Sequence, residues 1–146
     1  MMNKRNSMTK ISMVAILLAA AFISGCDDGP SAAEKVEGLL LSVAWIKPIV
    51  TVDGIDQSNL YQDFNITFTK TNYTTSGGSP LWPSTGTWTF KDESATVMIL
   101  DGTREVQINE ITGANLELAV QNNNTTFKSG RVKSIIGKNV FRLSKK

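Results

Sequence analysis

The sequence predicts an all-β domain: about eight short antiparallel strands in an up-and-down barrel or closed meander, preceded by one short helix. Three observations lead there. From Val43 onward, apolar and polar residues alternate with a period of two, as in strands with one buried face. Turn signals punctuate that pattern about every 8–12 residues. The turns follow one another in sequence, which favours a meander over a Greek key.

The helix comes first. Ser31-Ala-Ala-Glu34 matches a capping box, in which the serine hydroxyl and the glutamate carboxylate each satisfy a free backbone N–H of the first turn. Val36, Leu39, Leu40 and Val43 follow at helical spacing, with Glu34, Lys35 and Glu37 on the opposite side. A helix is predicted over 32–41, weakened by Gly38. Its stripe suits packing on the domain better than lying on a membrane, because surface helices are richer in Lys and Arg.

The strands follow in order. Val43 to Val52 is β-branched and extended, and Pro48 puts it at a sheet edge or a bulge. Asp53-Gly54 signals a tight turn. Phe64, Ile66 and Phe68 alternate with polar residues, and Tyr73 and Thr75 lie on the return strand. Thr87-Trp-Thr-Phe90 alternates again before the turn Lys91 to Ser94, and Thr96 to Leu100 closes at Asp101-Gly102. Val106 with Ile108, then Leu116, Leu118 and Val120, then Phe141 and Leu143 complete the set. The polar run Gln121 to Thr126, with Lys128 to Arg131 behind it, reads as a loop before the last strand.

Ahead of all this stands a different kind of segment. Residues 1–10 are short and basic, and residues 13–23 are continuously apolar. Eleven residues at 1.5 Å each cover about half of a ~30 Å hydrocarbon core, too little for a comfortable span. A charged region, a short apolar region and small residues before a break make a secretory signal peptide. The break, Ile23-Ser24-Gly25-Cys26, contains the chain's single cysteine. Aliphatic, small, small, cysteine resembles the lipobox of bacterial lipoproteins. The resemblance implies that Cys26 receives lipid (diacylglycerol, then an acyl chain such as palmitate) and becomes the first residue after cleavage. The expected organisation is a signal peptide over 1–25, a lipidated cysteine and tether over 26–31, and a β domain over 32–146. Each buried CH₂ contributes about 0.8 kcal/mol, so two or three chains anchor a protein without a spanning helix. Asp27 and Asp28 resemble an inner-membrane retention signal in some lipoproteins and an export signal in others; the outer membrane is the expected location.

The order of the remaining pieces resembles the lipocalin-like lipoproteins of Gram-negative bacteria. The residues that carry the likeness are Leu40 to Trp45, Val52 to Asp56, Phe64 to Phe68, Gly86 to Phe90 and Val140 to Leu143. The helix that usually follows the last strand in that family is missing from this pattern. The resemblance implies a barrel that encloses a small apolar ligand, a warrant by analogy of fold.

Charge and composition narrow the function classes. The chain carries fifteen basic and thirteen acidic residues, net +2. Lys4, Arg5 and Lys10 all precede Cys26, where there is no acidic residue, so the remainder is slightly acidic and no nucleic-acid partner is expected. No histidine occurs, which removes the commonest general base and transition-metal ligand. With one cysteine and no nucleophile, phosphate-loop or zinc motif, the sequence leads to no catalytic residue, no metal and no cofactor. Asp53, Asp56 and Asp63 gather near one turn but match no calcium-loop spacing, and read as solvated turn residues.

Two readings of the β domain remain. The stretch Ser76 to Gly86 holds Leu81 and Trp82 between two prolines. It could form a flap over a ligand or partner, or fold back as a plug on the barrel's own core. Trp45, Trp88, Phe68 and Phe90 would line a cavity or fill a core, since an eight-stranded barrel does either. A lipid-anchored module holding a small apolar ligand is one expectation. The alternative is an envelope interaction protein with a filled barrel, docking a protein through the flap or the sheet edge.

Overall fold

The computed structural model describes residues 29–123 and 135–146. The expected signal peptide, Cys26 with Asp27 and Asp28, and loop residues Asn124 to Arg131 lie outside them.

Helix α1 spans Ala32–Leu41 and starts with the capping box: Ser31 Oγ accepts from the Glu34 N–H at 3.2 Å, and Glu34 Oε2 accepts from the Ser31 N–H at 2.7 Å. Those bonds, the backbone one foremost, hold the Glu34 carboxyl below its ordinary pKa. Leu40 is fully buried, with Val36 and Leu41 packed beside it. Gly38 faces open space, so it loosens the helix without serving a contact.

Among the described residues nine strands follow: β1 Ala44–Val52, β2 Ile55–Asp56, β3 Asn65–Phe68, β4 Asn72–Ser76, β5 Thr85–Phe90, β6 Val97–Leu100, β7 Arg104–Ile111, β8 Asn115–Asn122 and β9 Gly137–Lys145. Every pairing is antiparallel, and β3 to β9 pair in sequence order. The barrel closes through β1. Its first residues pair with β3 (Trp45↔Ile66), and its length pairs with β9 from Trp45↔Lys145 to Val52↔Asn139. The result is the eight-stranded antiparallel barrel that the alternation and consecutive turns predict, with β2 as a short ribbon folded back on β1.

The turn residues act as their chemistry dictates. Asp53 (φ 49°) and Gly54 (φ 84°) make the two-residue hairpin between β1 and β2. Asp101 (φ 51°) and Gly102 (φ 73°) open the three-residue turn 101–103 between β6 and β7. Pro48 lies at a bulge. Lys47 adopts φ 52°, and the register with β9 shifts between Ile46 and Ile49. The extra residue resets the alternation, so Trp45 points inward, and then Pro48, Val50 and Val52 do.

The barrel has two distinct ends. Helix α1, the turns 69–71, 91–96 and 112–114, and the C-terminus lie at one. The turns 53–54 and 101–103, the 3-10 turn Ser58–Leu60 and the β4–β5 loop lie at the other.

Candidate functional site

The aromatic residues form two clusters, one at each end of the barrel. At the helix end, Phe68 meets Trp88 edge-on at 5.6 Å, and Trp88 meets Phe90 at 5.1 Å. Trp45 and Trp88 satisfy their indole N–H groups locally, Trp45 on the Leu40 carbonyl at 3.3 Å and Trp88 on the Thr69 carbonyl at 2.8 Å. Trp45, Phe68 and Trp88 are 0%, 2% and 3% exposed, and Phe90 is half-buried against them. Together with Leu40 from α1 they seal that end as core.

At the opposite end, Trp82 is 2% exposed and Leu81 6%. The loop between β4 and β5, with a cis Ser79–Pro80 peptide, folds back so that the Trp82 ring sits 5.6 Å from Phe64 and 5.5 Å from Phe141. Phe141 also stacks edge-on with Tyr61 at 4.9 Å. Close packing holds the loop in place. A Cβ on Gly78 would come within 2.6 Å of Trp82 Cβ and 2.8 Å of the Phe64 ring, so only glycine lets the loop lie this near. Leu81 and Trp82 therefore form a plug. They do not share a space with Trp45, Phe68, Trp88 and Phe90, which lie at the other end.

A polar cluster that the sequence reading did not single out surrounds the plug. Arg104 opens β7 with the inward parity of Val106 and Ile108. Its guanidinium lies over the Trp82 ring at 5.1 Å, and Nη1 donates to the Leu81 carbonyl. Burial pushes the Arg104 pKa down, while Tyr73 and Asp101 beside it act to raise it. Nε and Nη2 of Arg104, and Nε1 of Trp82, are buried with no acceptor in hydrogen-bond geometry, although the Tyr73 hydroxyl lies close enough to act on the guanidinium. The Tyr73 hydroxyl donates to Asp101 Oδ2 at 2.8 Å, and Asp101 Oδ1 accepts from the Thr87 N–H at 2.9 Å. Burial first, then the Asp101 carboxylate, pushes the Tyr73 phenol up to about 12. Period-two analysis classes Arg104 simply as polar. Only its parity with Val106 could have flagged an inward-facing charge.

Clefts among the described residues mark the surface. One, about 410 Å³, adjoins the plug: it is lined by Pro80, Leu81 and Pro83 and by Arg104, Gln121, Asn122 and Asn123. A second, about 290 Å³, runs over the outer face from Lys47 and Ile49 to Glu117 and Arg142. A third, about 260 Å³, lies beside Asn59, Asp63 and Gly77. Trp45, Phe68, Trp88 and Phe90 line none of these.

The aspartates near the first turn have structural partners. Asp53 accepts from the Lys138 N–H at 2.9 Å, and Asp56 accepts from the Ser58 hydroxyl at 2.6 Å. Among the described residues no group of three or more His, Cys, Asp or Glu could hold a metal ion, and no helix is long and apolar enough to cross a membrane.

The chain matches no protein-family model, no curated protein and no solved structure.

Proposed function

We propose that this chain is a cell-envelope lipoprotein, anchored by lipid on Cys26, that carries its barrel as a rigid interaction module and not as a carrier of an apolar ligand. The signal-like segment and the lipobox at Ile23 to Cys26 support the anchor. The packing of the barrel supports the choice of module: the side chains that would line a ligand cavity stack on one another and on α1.

The anchor would also set an orientation. Only residues 27–30 separate Cys26 from the cap Ser31 of α1, a reach of roughly 17–18 Å when fully extended. The helix end of the barrel then sits near the membrane, and the end closed by Trp82 points away from it. The outer membrane is the location proposed.

Native mass spectrometry of the full chain, after incubation with an envelope extract in neutral detergent, tests the module. The expected result is the mass of the lipidated chain with no small-molecule adduct. An adduct of a few hundred daltons that disappears in Trp88→Ala would favour the carrier. The anchor has its own test. Cys26→Ser should leave a longer, unlipidated precursor and release the protein from membranes; a variant still cut and membrane-bound would overturn it.

A further inference from the structure

The geometry points to the cleft beside the plug as a binding subsite for an oxyanion, a phosphate or carboxylate group, with Arg104 supplying the charge. The inference goes beyond the proposed function and does not depend on the anchor.

Four observations converge. The cleft, at about 410 Å³, falls within the size range of small-molecule sites. Among the described residues that line it, Arg104 is the charged one; the others are prolines, Leu81, Gln121, Asn122 and Asn123. An anion entering would meet a guanidinium and the exposed amides of Gln121 and Asn123, with no carboxylate among the described lining residues to repel it; the Asn122 amide already donates to the Ile135 carbonyl. Asp101, the acid near Arg104, is already engaged by the Tyr73 hydroxyl and the Thr87 N–H.

The fourth observation is the strongest. A guanidinium has five N–H donors in a fixed fork. Here Nη1 is taken by the Leu81 carbonyl, while Nε and Nη2 lack acceptors, as does Trp82 Nε1 beside them. Buried donors without partners are uncommon, and each penalises the closed state. They are buried, so the closed barrel holds three donor nitrogens in reserve beside Leu81. A small shift of Leu81 and Trp82 toward the cleft would expose the Nε–Nη2 edge. That edge suits two oxygens of one phosphate or carboxylate, while Nη1 keeps the Leu81 carbonyl. Exposed Gln121 and Asn123 would close over the anion from the β8 side.

An NMR titration of the full chain in neutral detergent tests this, reading the Arg104 Nε–H and Trp82 indole N–H signals. The probes are inorganic phosphate and glycerol phosphate, with sodium chloride at equal ionic strength as the control. Both signals should shift saturably with phosphate, with half-saturation on the order of 1 mM, and not with chloride. Asn123→Ala, at an exposed position, should weaken binding several-fold, and Arg104→Gln should abolish it. Equal affinity for the two probes assigns a free oxyanion. Tighter binding of glycerol phosphate assigns a lipid headgroup or another phosphate ester. Shifts that stay linear, or that chloride reproduces, overturn the site. So does unchanged affinity in Asn123→Ala together with Arg104→Gln. If Arg104→Gln fails to fold, the chloride control and Asn123→Ala decide.

Discussion

Gly86 and Tyr73 illustrate how single residues fix the plug end of this barrel. Gly86 pairs with Tyr73 across β4 and β5, and a Cβ there would stand 2.3 Å from Asp101 Oδ1 and 2.6 Å from Tyr73 Oη. The glycine leaves room for the tyrosine–aspartate hydrogen bond that ties β4 to the β6–β7 turn. Gly86→Ala should therefore break that bond or push the strands apart, at a cost of about 1–3 kcal/mol measured by urea unfolding. Tyr73→Phe in the same background should recover little, because the alanine methyl still meets the Asp101 carboxylate. Tyr73 also gives a pH signature. Its phenol titrates at about 12 in the fold and at 10.0 ordinarily, so the folded state holds the proton more tightly. The Tyr73 contribution to stability is complete below pH 10 and is lost as the pH rises from there through 12. Absorbance of tyrosinate against pH should show a late ionisation step that Tyr73→Phe removes.

Among the elements, α1 is the one whose ends and face the sequence defines most fully. The box Ser31 to Glu34 starts it, and Leu40 marks the buried stripe. Ser31→Ala should cost about 0.5–2 kcal/mol, and should loosen the helix end of the barrel without altering the plug. Hydrogen exchange would show this as faster exchange at Leu40 and Leu41 with no change at Trp82. The strands were legible for the same reason as the helix: Ile66, Phe68, Leu116, Leu118, Phe141 and Leu143 all fall on the buried face that alternation assigns them. The elements that escaped were those with no period. β2 is only two residues long, and the 3-10 turn Ser58–Leu60 delivers Tyr61 to the core from a stretch that reads as polar loop. A run that short contains no repeat to detect.

For the whole molecule, the decisive feature is closure at both ends, by α1 at one and by Trp82 at the other. Trp82→Ala removes a ring packed on Phe64 and Phe141 and should cost about 3–5 kcal/mol, read from thermal or urea unfolding. It also leaves Arg104 without the aromatic face beneath it, so part of that cost should fall when Arg104→Met is combined with it. Additive losses in the double variant would mean that the two side chains are energetically independent.

Taken alone, the sequence determined the helix and its cap, the strands and their inward faces, the glycine turns and the barrel class. All of these follow from local chemistry or from a period of two. It also carried the tetrapeptide Ile23-Ser24-Gly25-Cys26, whose resemblance to a lipobox is a matter of sequence alone. Tertiary structure decided what period and propensity cannot encode. Whether Trp45, Phe68, Trp88 and Phe90 line a space or fill it depends on what packs across the barrel, and Leu40 and the stacked rings fill it. Whether Leu81 and Trp82 project or plug depends on Gly78, Phe64 and Phe141, which are distant in sequence or silent about their partners. Arg104 is the clearest case. Its charge reads as surface in one dimension, and only barrel closure turns it inward under an indole with donors to spare.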